Sequence, residues 1–475
     1  MTSAYEKVSA DVLRRIIPTP EESECILVLA QELTQKIKKA AENAGLTAEV
    51  GIEGSVAKDT WLRDEPELDL FIRVPTTLNR NAFNTICLDV AKKATRGFQQ
   101  VERFAEHPYL ESTIHNVRVN IVPCYAVKQG EWLSATDRTP FHTSYIQKHL
   151  SQQEKNEVRL LKKFMQGIGV YGAEIKIGGF SGYLCELLIL QYRSFVKVLQ
   201  SASNWKRKVV IDYQKYFHGK DKEAERTFEG HIIVVDPVDK RRNVAAAVRE
   251  QRLYEFVAAA RVFLKNPNLS FFYPPDIDAF APEKVAHAIT VRGSDLLFVR
   301  FGQVRTVSDV LWGQLYKTDK LLAKLLEQFD FKILRNEVWS DDEDINIFIF
   351  EVEERIIPPT KKHWGPPVEK RDACERFLRK HLGSDQTVSG PRVEEGRWIV
   401  EIKREYIDAV ELLFQKLNGG RHIGIPTLLS NVIADSFEVL VNEEILTLYS
   451  SHAKFAKFLT KYLTGTPRWL NSYLR

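Results

Sequence analysis

Gly54-Ser55-Val56-Ala57-Lys58-Asp59-Thr60-Trp61-Leu62-Arg63-Asp64-Glu65-Pro66-Glu67-Leu68-Asp69-Leu70-Phe71-Ile72 is the stretch that decides the fold. A tight Gly-Ser turn comes first, and an apolar run carrying two carboxylates two positions apart follows. Residues i and i+2 of a strand point to one face. Glu67 and Asp69 therefore converge on one point, while Leu68, Leu70 and Ile72 fall on the opposite face and can be buried. Paired hard oxygen ligands suit Mg²⁺, and a metal held this way suits phosphoryl or nucleotidyl transfer. Backbone N–H groups of the turn and the Ser55 hydroxyl can cradle phosphates. A bare Glu-x-Asp is equally an exposed strand whose solvent face carries acids; Gly-Ser at this offset, with Lys58 and Arg63 between, favours the metal-binding reading.

Five further blocks stand in order: Ala105-Glu106-His107-Pro108-Tyr109, Ile121-Val122-Pro123-Cys124-Tyr125, Asp137-Arg138-Thr139-Pro140-Phe141-His142, Tyr171-Gly172 followed by Gly179-Phe180-Ser181-Gly182-Tyr183-Leu184-Cys185-Glu186, and Asp236-Pro237-Val238-Asp239-Lys240-Arg241-Arg242-Asn243. With the first stretch, they resemble the archaeal-type (class I) CCA-adding enzymes, tRNA nucleotidyltransferases of the polymerase-beta-like superfamily. The likeness is looser later, through Gly365–Arg371 and Glu395–Trp398. It implies a multidomain α+β fold: a polymerase-beta-like nucleotidyltransferase head (1–150), a central helical nucleotide- and tRNA-binding domain (151–270), and a C-terminal body and tail for tRNA (271–475) with an RRM-like sheet. The implied activity is template-independent addition of C, C and A to a tRNA 3′ end from CTP and ATP, with Mg²⁺ as cofactor and pyrophosphate leaving. The tRNA would be gripped by its acceptor and T arms, and a homodimer is left open.

One position departs from the family pattern. A third carboxylate is expected in a V-x-V-D-h-V-P-C-Y context, h being apolar, and the chain reads Val117-Arg118-Val119-Asn120-Ile121-Val122-Pro123 there. The Asn120 amide oxygen can ligate a metal weakly, but it carries no charge and cannot take a proton from an attacking 3′ hydroxyl. The catalytic and metal-binding set is thus Glu67, Asp69 and Asn120. A site disabled by design, a slower natural enzyme and a protein that has lost catalysis all fit this residue, and so does a tRNA-binding protein without activity. A poly(A)-polymerase or oligoadenylate-synthetase relative would share the turn and the acids.

The resemblance also implies a nucleotide site. Gly54 and Ser55 match the turn that meets the triphosphate. Lys58 stands where the family usually has Arg, a point charge in place of a fork. His107, Thr139 and His142 match residues near the nucleotide, Lys162 and Tyr171 match triphosphate contacts, and Arg242 matches the arginine that helps read the base. Taken singly, each has a plainer reading: Tyr171 as helix-end packing, His107 as a strand-end turn, Lys162 as a solvated helix residue.

Composition adds bounds. The 475 residues suggest about three domains, and 44% hydrophobic residues are ample for several cores. A net charge of +4 is too mild to argue for nucleic acid by itself. Five cysteines, Cys25, Cys87, Cys124, Cys185 and Cys374, lie singly without a C-x-x-C, which favours a reducing compartment over a disulfide framework or zinc site. With no signal-like start and no run near 18 apolar residues, no membrane and a cytoplasmic location are expected.

Periodicity predicts helices at Tyr5–Ile17 and Glu21–Ala44, strands near 47–54 and 67–74, a helix at 80–96, and strands near 100–104, 110–115 and 117–123. Residues 134–150 read as a connector because Thr139-Pro140 breaks the pattern. Helices follow at Asn156–Gly169 and Ser181–Gln200, the second a buried spine. From about 271 long helices alternate with strands, including Ile345–Val352 and Trp398–Ile402. Basic residues gather late: Lys361–His381 holds seven Lys or Arg against three acids, and Ile445–Arg475 holds no acid. Lys454, Lys457 and Lys461 share one helical face opposite Phe455, Phe458, Leu459 and Tyr462, so they can meet RNA phosphates or form a solvated face. Trp469 and Tyr473 could stack on a base, with packing favoured.

Overall fold

The computed structural model describes residues 4–104, 107–206, 208–418 and 423–470. The chain forms two compact units, Met1–Asp276 with the segment from Thr466 onward, and Ile277–Gly465.

The first unit opens with α1 (Ala4–Ile16) and α2 (Pro20–Asn43). The second start is locally encoded: Thr19 and Glu22 form a reciprocal capping box, and Pro20 stands where its missing N–H costs nothing. β1 (Glu49–Glu53), a single turn α3 (Gly54–Ala57), β2 (Glu67–Val74), α4 (Arg80–Ala94), β3 (Gln99–Phe104), β4 (Pro108–Ile114) and β5 (Val117–Tyr125) follow. The sheet order is β1-β2-β5-β4-β3, with β2 and β5 parallel and every other pair antiparallel. Leu68, Leu70 and Ile72 are fully buried in a core shared with Ile37 of α2 and Phe83 of α4, which leaves Glu67 and Asp69 half-buried on the opposite face.

Residues 134–150 are not a connector. A 3-10 turn (Ala135–Arg138) leads into α5 (Thr139–His149), with Pro140 in its first turn. Proline disrupts a helix interior but is accepted at its start, where its N–H has no partner to lose. α6 (Gln152–Gly167) begins ahead of the expected Asn156, at the capping box of Ser151 and Glu154, and the spine divides into α7 (Gly182–Tyr192) and α8 (Phe195–Ala202). Arg193 adopts a left-handed φ of 72°, and the Ser194 side chain caps the second helix. β6 (Val209–Ile211), α9 (Asp221–Thr227), β7 (Ile232–Asp236), β8 (Asp239–Asn243) and α10 (Glu250–Lys265) complete this part. Its core is aromatic, with Phe164, Phe180, Phe195, Phe256, Phe263, Phe271 and Phe272 all fully buried. Trp469 packs on Phe271 at 5.3 Å between ring centres and is buried, so packing is its role; Tyr473 lies outside the described residues.

The second unit contains α11 (Pro282–Thr290), β9 (Asp295–Phe301), α12 (Ser308–Gln328), β10 (Ile333–Ser340), β11 (Asn346–Val352), β12 (Thr360–Pro367), α13 (Arg371–His381), β13 (Thr387–Glu394), β14 (Arg397–Lys403), α14 (Ala409–Asn418), α15 (Thr427–Asp435), β15 (Phe437–Val441), α16 (Leu446–Ser451) and α17 (Ala453–Thr464). Two antiparallel sheets form, so Ile345–Val352 and Trp398–Ile402 belong to different ones. In the sheet β10-β11-β9-β15 alternate residues serve both faces. Leu297, Val299, Phe348 and Phe350 pack with α12, α14 and α15, while Leu296, Phe298, Ile347 and Ile349 pack with α11, α16 and α17. The sheet β12-β14-β13 carries α13, whose Phe377 ring lies where a Cβ on Gly365 would stand, 2.7 Å away. On α17, Lys454, Lys457 and Lys461 are exposed and Phe455, Leu459 and Tyr462 are buried, as the pattern predicts. Among the described residues no helix is long and apolar enough to cross a membrane.

Candidate active site

The parallel register of β2 and β5 sets Asp69 opposite Asn120 and Glu67 opposite Arg118. The two carboxylates converge on the Asn120 amide nitrogen, which donates to Glu67 Oε1 at 2.7 Å and Asp69 Oδ1 at 2.9 Å. The Arg118 guanidinium pairs with Glu67 Oε2 at 2.8 Å. Burial and then repulsion from Glu67 push the Asp69 carboxyl up to about 6, with the Asn120 amide working the other way. Asn120 is itself buried, and its Oδ1 has no hydrogen-bond partner among the described residues.

These residues fit a divalent cation. Both acids already aim at one positively polarised group, and a cation there would relieve the repulsion that raises Asp69. Rotation of the Asn120 amide would offer its unpartnered oxygen as a weaker third ligand. Among the described residues no group of three His, Cys, Asp or Glu side chains could hold a metal, as expected where the third member is an amide.

Gly54 closes against this pair. Its φ of +68° suits glycine, and a Cβ would lie 1.9 Å from Asp69 Oδ2, so any other residue would displace the acid. Ser55 follows in the same turn, and the Thr60 N–H donates to its carbonyl at 2.9 Å.

Lys58, Lys162, His142 and Arg242 gather around two buried carboxylates, Glu186 and Asp236, with Tyr171 close by, whereas His107 and Thr139 touch neither. Glu186, on α7 and wholly buried, accepts from Lys58 Nζ at 2.5 Å through Oε2. Its Oε1 accepts from Thr60 Oγ1 at 2.7 Å and Lys162 Nζ at 3.5 Å. Burial opposes the Glu186 charge, but the two ammonium groups outweigh it and hold the carboxyl below its usual range. Burial lowers the Lys162 ammonium, with Glu186 opposing. Lys162 is thus a buried residue, not a solvated one. The Tyr171 hydroxyl lies next to it, since both approach the position a Cβ on Gly182 would take, at 3.0 Å for the hydroxyl and 3.5 Å for Nζ.

Asp236, at the end of β7, is the second hub. Its Oδ2 accepts from His142 Nε2 and from the Arg242 guanidinium, each at 2.8 Å. Oδ1 accepts from the Tyr183 hydroxyl at 3.2 Å and the Val238 N–H at 3.0 Å. Burial would raise this acid, but His142, Arg242 and the amide prevail and hold it down to about 2. Burial lowers the His142 imidazole against the pull of Asp236. Tyr183 links the hubs: its ring stacks on His142 at 4.0 Å, and Lys58 Nζ lies 5.7 Å from the ring centre. Thr139 opens the helix that carries His142. His107 is buried in the head, its Nε2 2.9 Å from Thr136 Oγ1 and its ring edge-on to Phe83.

A signal for both hubs was present: a lone acid inside the apolar run Leu184-Cys185-Glu186-Leu187-Leu188, and another ending Ile232-Ile233-Val234-Val235. Acids are seldom buried unless paired. Which cations pair with them is tertiary information.

Three family models match successive parts of the chain: a nucleotidyltransferase domain over residues 34–150, the second domain of tRNA nucleotidyltransferase over 156–273, and the C-terminal domain of CCA-adding enzyme over 292–442. Curated relatives align almost end to end. The CCA-adding enzyme of Methanosarcina barkeri is 36% identical, covering 97% of this chain and 99% of the relative. That of Methanothermobacter thermautotrophicus is 35% identical over 98% of each. That of Pyrobaculum neutrophilum is 37% identical over 89% of this chain and 96% of the relative. The chain belongs to the family of archaeal-type CCA-adding enzymes, the tRNA nucleotidyltransferases whose motifs it carries from Gly54 to Arg242.

Proposed function

We propose that this chain builds the CCA end of tRNA without a template, joining C, C and A from CTP and ATP and releasing pyrophosphate. The observation that carries the chemistry is the Glu67–Asp69 pair, brought to one point beside the left-handed Gly54 turn. Nucleotidyltransferases of this fold use divalent metal ions, and we assign Mg²⁺ to Glu67, Asp69 and, once turned, the Asn120 oxygen. When bound, it would supply positive charge to the phosphates and to the attacking oxygen.

In this reading the chain's own residues do the positioning. Gly54 and Ser55 offer backbone and hydroxyl donors to the terminal phosphates. Lys58, Lys162 and Tyr171 supply two cations and a phenol to the triphosphate, and its charge is met without solvent reorganisation. His142 and Arg242, held by Asp236, face the base, with Thr139 and His107 supporting that wall. Holding the 3′ hydroxyl in line with the α-phosphorus accounts for much of the acceleration, since the step demands placement and charge stabilisation. Residues 1–150 are assigned to the head, 151–270 to the nucleotide and tRNA end, and 271–475 to tRNA recognition, with the segment from Thr466 packed in the first unit. The exposed face of Lys454, Lys457 and Lys461 suits the phosphates of the acceptor and T arms, which duplex RNA presents irrespective of sequence. Cysteines that stand free among the described residues fit a cytoplasmic setting.

Transcripts ending before CCA, after C and after CC, incubated with labelled CTP or ATP and Mg²⁺, test the reading by product length. Ordered addition that stops after A is expected. An unlimited ATP tail would indicate a poly(A)-polymerase-like activity, and binding without incorporation a non-catalytic tRNA-binding protein.

A further inference from the structure

Glu186 has a chemical consequence for the nucleotide site beyond packing. Lys58 and Lys162 are 7% and 2% exposed, and both ammonium groups reach the same carboxylate. Two buried cations side by side repel, and each loses hydration; burial already lowers the Lys162 ammonium, and the Glu186 charge is what opposes that. Thr60 cannot replace that anion. Its hydroxyl and carbonyl orient Lys162 Nζ at 3.0 and 3.1 Å but carry no charge.

We infer that Glu186 is a positioning residue for nucleotide binding, holding Lys58 and Lys162 together as two charged groups that the triphosphate then meets. The inference rests on the proposed reading of the two lysines as triphosphate contacts. Glu186 touches no reacting atom itself. It leaves the pair with a net charge of +1 before the nucleotide arrives, and the phosphates complete the neutralisation. A head residue and a central-domain residue are thereby tied to one helix, so the Lys58–Lys162 spacing is set before binding. The other titratable groups around this cluster are Cys185 on the same helix, Tyr171 and Tyr183 beside the ammonium groups, His142 stacked on Tyr183, and Glu53 and Asp69 from the head.

The test measures KM and kcat for CTP and ATP on a tRNA transcript lacking CCA, from pH 6.5 to 9, with melting curves alongside. In Glu186→Gln one lysine should titrate in this range, so KM should climb roughly tenfold more with pH than in the unaltered protein, with kcat moving much less. A lowered melting temperature with an unaltered KM–pH profile would make Glu186 merely structural and overturn the inference. If Glu186→Gln does not fold, Glu186→Asp decides: its shorter stem cannot span both lysines, and KM should rise at least about threefold at every pH. A KM equal to that of the unaltered protein would again overturn the inference. Lys162→Met and Lys58→Met separate this inference from the reading beneath it. If neither shifts KM, the lysines do not hold the triphosphate and that reading fails. If both shift it and neither Glu186 variant does, only the role of Glu186 fails.

Discussion

Asn120 stands directly opposite Asp69 in the parallel register of β2 and β5, with its amide nitrogen 2.9 Å from the carboxylate. A neutral donor therefore occupies the place of the third acid in the family pattern, and it stabilises the two remaining acids when no cation does. Asp69 is still pushed up to about 6, by burial first and by repulsion from Glu67 second. In the proposed reading the site rests without metal more readily than a three-carboxylate site would, and it offers a cation one charged ligand fewer.

Restoring the carboxylate by Asn120→Asp should reverse both properties. Single-turnover CTP incorporation should rise by roughly 10²-fold, the contribution of a positioned base or metal ligand. Without Mg²⁺ the three acids should repel and lower the melting temperature, and Mg²⁺ should recover the loss. Equal, substantial rates in the two forms would mean that two carboxylates suffice here. No activity in either would favour a non-catalytic protein.

Asp69→Ala should abolish nearly all incorporation while tRNA affinity stays within a few-fold, because the role proposed for the acids is to hold metal and not RNA. Gly54→Ala should act through the same acid: its methyl would fall 1.9 Å from Asp69 Oδ2. Displacing that oxygen should cost at least about tenfold in rate. Filter binding and incorporation assays on both variants check this, and full activity in Asp69→Ala would remove the pair from the chemistry.

What the sequence discloses here is what local physics controls. The alternation of Leu68, Leu70 and Ile72 with Glu67 and Asp69 specifies a strand with one buried face, and the capping box at Thr19 and Glu22 marks a helix start. Pro140 misled because proline ends and begins helices alike, and only the turn before it shows which. The break at Arg193 falls in the short polar interruption Gln191-Tyr192-Arg193-Ser194 between apolar stretches, where only Ser194 signals a new cap. The hubs at Glu186 and Asp236 were unreadable as hubs: Lys58 lies 128 residues from Glu186, and His142 lies 94 from Asp236. Without the family likeness, Lys58, Lys162, His142 and Arg242 are four unrelated polar residues; the fold sorts them into two pairs by counter-ion.

Neutralising Lys454, Lys457 and Lys461 together should weaken tRNA binding alike for all sequences. Each lost phosphate contact should lower the slope of log K against log[salt] by roughly 0.7–0.9. Titrations at several salt concentrations give the slope. An unchanged slope would make these exposed lysines a solvated face only.

Asp319, buried on α12, gives the second unit a pH-dependent stability. Burial pushes its carboxyl up to about 7, against the hydrogen bond from Asn336 Nδ2 at 2.5 Å. A carboxyl raised above its unfolded value of about 3.9 favours folding when protonated, and that advantage is lost as the pH climbs through the folded value. Asp319→Asn keeps the shape without the ionisation. Its stability advantage should grow from about pH 4 to about pH 7 and level off at about 4 kcal/mol, the value of about three pK units. Denaturant unfolding at pH 5 and pH 8 checks this; an advantage independent of pH would mean that Asp319 does not titrate in this range.

Asp236 should govern the choice of base through the two residues it holds. It is wholly buried and held down to about 2, so it is charged at every working pH. His142 and Arg242 share one of its oxygens, which fixes them relative to each other. In Asp236→Asn the size is kept, but a neutral amide cannot hold both the His142 imidazole and the Arg242 guanidinium on one oxygen, and Arg242 gains freedom to leave its place beside His142. Discrimination between CTP and ATP should fall by roughly tenfold, about 1.4 kcal/mol, on tRNA ending before CCA and after CC. Stability should drop by about 1–3 kcal/mol from the lost buried bonds. Affinity for tRNA alone should not change, since neither hub belongs to the basic face of α17. Competition between labelled CTP and ATP on each transcript reads the selectivity, and binding at fixed salt supplies the control. Selectivity retained alongside a lower melting temperature would confine Asp236 to the fold and leave the choice of base to other residues.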